Sequence, residues 1–176
     1  MMRKLCLPLL LTAVAAFPVF AQSSEDADSL KSIFLKHLQT SKDFTVKVAE
    51  AMPAENYSFK LTPEQMSFGG QLTHLSQALG YFLSAFAAEK PNPGKPASDS
   101  KNDVMAFVKS SYDKAIAQVS QLTPEQIHKT YKFGGGQGSM TGIDLLLGML
   151  DHCTNHRASA EMYLRAKGIT PPKYEF

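Results

Sequence analysis

Apolar residues recur at three- and four-residue steps along most of the chain, which is the spacing of one face of an α-helix. The pattern predicts four long helices: one from Ser23 or Ser24 up to Pro53, and three over residues 67–89, 103–121 and 141–167. Prolines or glycines interrupt the pattern between these segments, and no segment carries a convincing strand alternation. The chain is therefore predicted to be all-α, with a four-helix bundle as its architecture.

Two kinds of connection join the predicted helices. The sequence "LTPEQ" occurs at residues 61–65 and again at 122–126. Each copy has Thr as a possible N-cap, Pro at the first helical position and Gln two positions later, so both are predicted to form a short helical turn. The stretch "FGGGQGSM" at residues 133–140 lacks the Lys-Ser/Thr of a phosphate-binding loop, and it is predicted to be a flexible connection.

The first 21 residues have the three parts of a secretory signal peptide. Arg3 and Lys4 form a basic start, residues 5–20 are mostly apolar, and "VFA" at residues 19–21 places small residues where a signal peptidase reads them. The apolar run is shorter than the about 20 residues of an ordinary membrane span. We therefore expect cleavage after Ala21, a domain over residues 22–176, and export to the periplasm or secretion.

Charge and cysteine content limit the possible partners. The chain has 18 Lys and Arg against 16 Asp and Glu, and loss of Arg3 and Lys4 would leave 16 of each. A net charge near zero gives no support for nucleic acid or a membrane surface as a partner. We expect a small-molecule substrate, and the chain is compatible with a homodimer. Cys153 would be the remaining cysteine after cleavage, and it is predicted to be a buried, inert thiol.

His152 and His156 stand four residues apart in the last predicted helix, in the middle of an apolar stripe that runs from Leu145 to Tyr163. At about 100° per residue, both side chains point toward a partner helix. A buried imidazole needs a partner for each ring nitrogen, and two protonated imidazoles on one stripe would repel each other. Ligation of a metal ion resolves both difficulties, so the pair is predicted to be part of a metal site.

A third ligand has to come from another helix. His74 is the best candidate, because its stripe on the second helix borders the main apolar face; His37 on the first helix is the alternative. His128 follows a capping box and is predicted to be solvated. Gln71 and Tyr81 share the stripe of His74 and are predicted to contact a substrate. In the last helix, Arg157 and Arg165 are predicted to be solvated or paired near the helix end.

Three histidine ligands leave coordination positions open, as catalytic metal sites do. One hypothesis is therefore a metal-dependent enzyme that performs hydrolysis or thiol transfer. The alternative is a non-catalytic bundle that uses the metal to hold a ligand or to stiffen the fold. The sequence contains no assignable general base, which keeps this alternative open.

Two stretches of the chain resemble a known family. They are "PAENYSFKLTPEQMSFGGQLTHL" at residues 53–75 and "LLLGMLDHCTNHRASAEMYLRAKGITPP" at residues 145–172, and together they are similar to the DinB/YfiT-like superfamily. The resemblance implies a four-helix bundle with a divalent metal, typically nickel or zinc, held by His74, His152 and His156. Relatives of this kind include S-transferases and isomerases that use bacillithiol, mycothiol or glutathione. Many of them carry Glu where this chain has Gly70.

Overall fold

The computed structural model describes residues 19–87, 92–134 and 138–174. Four long helices form a bundle: α1 (Val19–Ala51), α2 (Phe68–Ala87), α3 (Lys101–Ser120) and α5 (Gly142–Ala166). The short helix α4 (Pro124–His128) lies between α3 and α5, and a single 3₁₀ turn (Ala54–Asn56) follows α1. The predicted four-helix bundle is confirmed.

The helices pair through the apolar faces that the spacing predicts. α5 packs along α2 and α1, and α3 packs along α1 and α2. Leu38, Leu72, Val108 and Leu145 are fully buried, one from each long helix. Cys153 is also fully buried and unpaired, and burial raises the pKa of its thiol to about 12, as expected of an inert thiol.

The helix boundaries differ modestly from the predicted ones. α1 begins at Val19, before the predicted start at Ser23 or Ser24. Residues 1–18 of the predicted signal peptide lie outside the described residues, so its cleavage stays a prediction. Within the described ranges, no helix combines the length and the hydropathy that a membrane span requires.

A pair of β-strands, which the spacing did not predict, lies at the glycine-rich connection. Strands β1 (Thr130–Phe133) and β2 (Gly138–Thr141) form an antiparallel hairpin in which Tyr131 pairs with Met140. Gly134 ends β1 with a φ of +66°, a conformation that suits glycine. The prediction of a flexible connection over residues 133–140 was therefore wrong at Phe133 and at residues 138–140, which lie in the two strands. Residues 135–137 lie outside the described part of the chain.

The two "LTPEQ" copies differ in structure. In the second copy, the Thr123 side chain accepts from the Gln126 backbone N–H while the Gln126 side chain accepts from the Thr123 N–H, which is the predicted capping box of α4. The first copy forms a turn instead of a helix, with Gln65 N–H donating to the Thr62 carbonyl at 3.2 Å. Nearby backbone bonds explain the difference, because Phe68 N–H donates to the Phe59 carbonyl and ties this connection to the start of α2.

The start of α5 is held against α4 by a close backbone approach. Thr141 and Asp144 form a capping box at its first turn. Gly142 N–H donates to the Lys129 carbonyl at 2.9 Å. A Cβ atom at Gly142 would lie 2.4 Å from the Gln126 carbonyl oxygen, so a residue without a side chain is required there. This contact places the helix that carries two of the histidines.

Candidate metal centre

His74, His152 and His156 come together between α2 and α5. The ring centroids are 5.1 Å apart for His74 and His152, 4.5 Å for His74 and His156, and 4.6 Å for His152 and His156. One ring nitrogen of each histidine lies within 4.8 Å of those of the other two. Three histidine nitrogens this close to one another could hold a metal ion.

The local sequence explains why these rings converge. His152 and His156 lie one turn apart on α5, the helix whose start is fixed by Gly142. His74 stands on α2, which packs along α5. The ring atom Nε2 of His152 is buried and makes no hydrogen bond with the described part of the chain. A buried nitrogen without a partner is costly, and a bound metal ion would satisfy it.

Hydrogen bonds behind the cluster fix the orientation of His156. Tyr163 Oη donates to the Met66 carbonyl at 2.5 Å and accepts from Gln71 Nε2 at 3.4 Å. The amide oxygen of Gln71 therefore faces His156, and it lies 2.6 Å from Nδ1. Since this oxygen only accepts, Nδ1 carries the proton and Nε2 keeps its lone pair for a metal.

The surroundings of His152 and His156 favour the neutral imidazole, which is the form that binds metal. Burial, followed by the charges of His152 and His74, lowers the pKa of His156 to about 4. Burial and the charge of His74 lower the pKa of His152, while Asp151 acts in the opposite direction. Among the described residues, the histidine cluster includes no carboxylate. The donors that this site offers to a metal ion are therefore imidazole nitrogens.

A cavity of about 400 Å³ opens beside the histidines. Its lining comprises His74, Gln77, Ala78, Tyr81, Phe82, Pro93 and His152. Aromatic rings form one side: Phe82 stacks on Phe133 with centroids 5.0 Å apart, and Tyr81 lies 5.0 Å from the same ring. The hairpin thus supports the wall of the cavity, and a ligand in it would meet apolar groups on one side and the histidines on the other.

The other predicted site residues take different positions. Tyr81 lies on the cavity wall, and its contact with a substrate stays a prediction. Gln71 is buried behind His156, and the substrate contact predicted for it is likewise untested. His37 and His128 are exposed on α1 and α4, away from the cluster.

Sequence reasoning missed two contributors to this region and misplaced a third residue. Tyr163 was recognised only as part of the apolar stripe, and Phe133 only as part of a loop. Both act through partners far along the chain, so no local spacing could have found them. Arg157 was expected to be solvated or paired near the helix end, and this was wrong, because only 4% of it is exposed. It follows His156 by one residue, so it points about 100° away, toward α1.

The described part of the chain is thus a four-helix bundle in which three converging histidines, beside a cavity, could hold a metal ion. A model of the DinB family matches residues 25–176, and the chain belongs to that family. YjoA of Bacillus subtilis is 24% identical over 146 residues, which cover 82% of this chain and 92% of YjoA.

Two crystal structures share the fold. The DinB-like protein YjoA of Bacillus subtilis superposes with a TM-score of 0.69 at 23% identity, covering 81% of this chain and 96% of that one. A DinB-like protein of Bacillus cereus ATCC 10987 gives a TM-score of 0.70 at 18% identity, covering 81% and 95%. The predicted family and fold class are therefore confirmed.

Gln71→Leu is expected to weaken zinc binding about 10- to 100-fold, because it removes the acceptor that orients His156. The matched control is Gln118→Leu, which removes a half-buried amide that donates to the Leu83 carbonyl at 3.0 Å, away from the cluster. Competition with a chromophoric chelator measures both affinities. Equal affinities in the two variants would show that the Gln71 contact has no role in metal binding.

The metal-free protein is expected to lose stability as the pH falls from about 6.5 toward 4. Since the pKa of His156 is about 4 in the folded chain against an ordinary 6.5, the unfolded chain binds the extra proton in this interval. Urea unfolding of resin-treated protein at a series of pH values measures the effect. His156→Gln should reduce the pH dependence and His128→Gln should not; an unchanged dependence in His156→Gln would assign it to other groups.

Proposed function

We propose that the protein binds one divalent metal ion, zinc or nickel, through His74, His152 and His156. We propose further that it is a metal-dependent enzyme that acts on a small molecule. The observation that carries the proposal is the position of the cluster: His74 and His152 line an apolar cavity as well as belonging to the three-histidine group. Structural zinc sites usually have four protein ligands, whereas catalytic sites leave positions open beside a substrate pocket.

The bound ion would supply a Lewis acid with free coordination positions, which suits hydrolysis or thiol transfer. The chain's own residues have separate tasks. Gln71 holds His156 in one tautomer and one orientation. Tyr81, Phe82 and Pro93 offer an apolar surface that would bind the carbon skeleton of the substrate and exclude water from it. We therefore propose a substrate with an apolar or aromatic part.

A metal-dependent turnover screen tests the enzyme proposal. The protein is stripped on a chelating resin and reloaded with zinc or nickel. It is then assayed with aromatic esters for hydrolysis, and with a small thiol plus an aromatic electrophile for thiol transfer. We expect turnover that requires the metal, is lost in His152→Ala and is retained in His128→Ala, a histidine exposed on α4.

Two other outcomes would contradict catalysis. Turnover that persists in His152→Ala would place the chemistry elsewhere or assign it to a contaminant. Stoichiometric metal binding without turnover of either substrate type would favour a non-catalytic, metal-holding bundle.

We also propose that the protein is exported, because the first 21 residues combine a basic start, an apolar run and small residues at the exit. Expression of the full chain should yield a mature form that begins at Gln22. Intact mass spectrometry of the extracytoplasmic fraction checks this, and the Ala21→Leu chain, with a large residue at the cleavage position, is the control that should remain uncut. A mass that retains Arg3 and Lys4 would contradict the proposal.

A further inference from the structure

A second site is suggested by a buried guanidinium that pairs with no carboxylate among the described residues. Arg157 is 4% exposed and faces α1. Its Nη1 donates to Ser41 Oγ at 2.9 Å, its Nη2 donates to Thr154 Oγ1 at 3.3 Å, and its Cζ lies 5.0 Å from the centroid of the Phe44 ring. The ion pairs of the described residues join other side chains, so no carboxylate oxygen in that part of the chain lies within 4.0 Å of this guanidinium.

The hydroxyl groups beyond Ser41 cannot supply the missing negative charge. Thr45 Oγ1 donates its single proton to the Ser41 carbonyl at 2.7 Å. Tyr112 Oη must then donate to Thr45 Oγ1 at 3.1 Å and accept from Ser41 Oγ at 2.8 Å. Burial is the main cause that raises the pKa of Tyr112, so its hydroxyl stays neutral at physiological pH. Each of the three hydroxyl groups donates its own proton in a hydrogen bond, and none carries a charge.

A small polar cavity of about 90 Å³ adjoins the guanidinium. Its lining includes Thr40, Ser41, Phe44, Thr154, Arg157 and Tyr174. A guanidinium has five N–H groups, and two of those of Arg157 make the hydrogen bonds already described. The other three make none with the described part of the chain, which leaves them available to a ligand at the cavity.

The nearest acidic group along α5 does not perform this role. Glu161 lies one turn after Arg157, yet the two form no ion pair in the described chain. Burial raises the pKa of Glu161 more than Arg157 and Arg165 lower it. Buried charges in proteins are normally paired, and the planar guanidinium pairs best with a carboxylate or another planar oxyanion.

We propose that this cavity is a carboxylate-binding site in which Arg157 is the principal ligand and Thr40 and Tyr174 lie at the walls. The site is separate from the metal centre, because His156 faces α2 while Arg157 faces α1. The carboxylate can come from a small molecule.

Arginine side-chain NMR tests the site directly on the wild-type chain. The protein has three arginines, Arg3, Arg157 and Arg165, so Arg165→Lys identifies one Nε–H resonance and Arg157→Lys another. Sodium acetate is titrated at constant ionic strength against sodium chloride. We expect a saturable shift of the Arg157 resonance and none of Arg165. At ten times the Kd, acetate should raise the Tm by about 3–5 °C.

A saturable shift of the Arg157 resonance in the wild-type chain supports the proposal. The proposal is overturned if acetate leaves this resonance unshifted, or if Arg157→Lys gains the same acetate-dependent Tm as the wild type. The titration itself is read on wild-type protein, so Arg157→Lys is needed only for the assignment and for the Tm comparison.

Discussion

Replacement of His74, His152 or His156 by Ala is expected to lower zinc or nickel affinity about 100- to 1,000-fold in each case. Structural zinc sites provide about 10–16 kcal/mol, or about 2.5–4 kcal/mol for each of four ligands. Each imidazole belongs to the same cluster, with nitrogens within 4.8 Å of one another, so each loss should have a similar effect. Calorimetric titration of the resin-treated variants measures the affinities.

The matched controls are His37→Ala and His128→Ala, which remove exposed histidines on α1 and α4. Both should bind metal as the wild type does. If His74→Ala binds as tightly as the wild type, the three-histidine site is wrong. A loss of affinity in His128→Ala would indicate general histidine affinity rather than a convergent site.

Gly142→Ala is expected to destabilise the fold by about 3 kcal/mol or more. The added Cβ would lie 2.4 Å from the Gln126 carbonyl oxygen and 2.5 Å from that of Ile127. These are backbone atoms, so they cannot rotate away as a side chain would. Either α4 shifts or α5 starts in a different place, and both changes break the bond from Gly142 N–H to the Lys129 carbonyl.

Urea unfolding measures the free energy of unfolding of this variant. Gly138→Ala is the matched control, because it lies in the adjacent strand and its Cβ would meet nothing within 4 Å. We expect its stability to remain within about 1 kcal/mol of the wild type. A similarly small change in Gly142→Ala would show that α4 moves aside at little cost.

The bundle and the histidine pair could be predicted because both depend on local periodicity. One helical face carries Leu145, His152, His156 and Tyr163, whatever the rest of the chain does. Because this face is so apolar, it must be buried. The choice of His74 over His37 rested on the position of its stripe relative to the apolar face of the second helix. The structure brings His74 to the pair and leaves His37 exposed.

The remaining features depend on contacts between distant segments, and spacing does not encode these. Arg157 was expected to be solvated, because charged residues are rarely buried, but the α1–α5 interface encloses it beside Phe44 and Ser41. The hairpin strands are four residues long, too short for their alternation to be recognised next to three consecutive glycines. The contact between Phe133 of the hairpin and Phe82 of α2 could be identified only in three dimensions.

The bond between Gln71 and His156 joins residues 85 positions apart, and this separation determines when a metal can be acquired. Contacts of such long range form only after the intervening chain has been ordered, and their closure entropy must be paid first. A nascent chain that ends before α5 contains only His74 of the three proposed ligands. Uptake of the proposed metal would therefore follow synthesis of the last helix and its docking on α2. Bound metal per chain would then report the fraction of molecules that have completed folding.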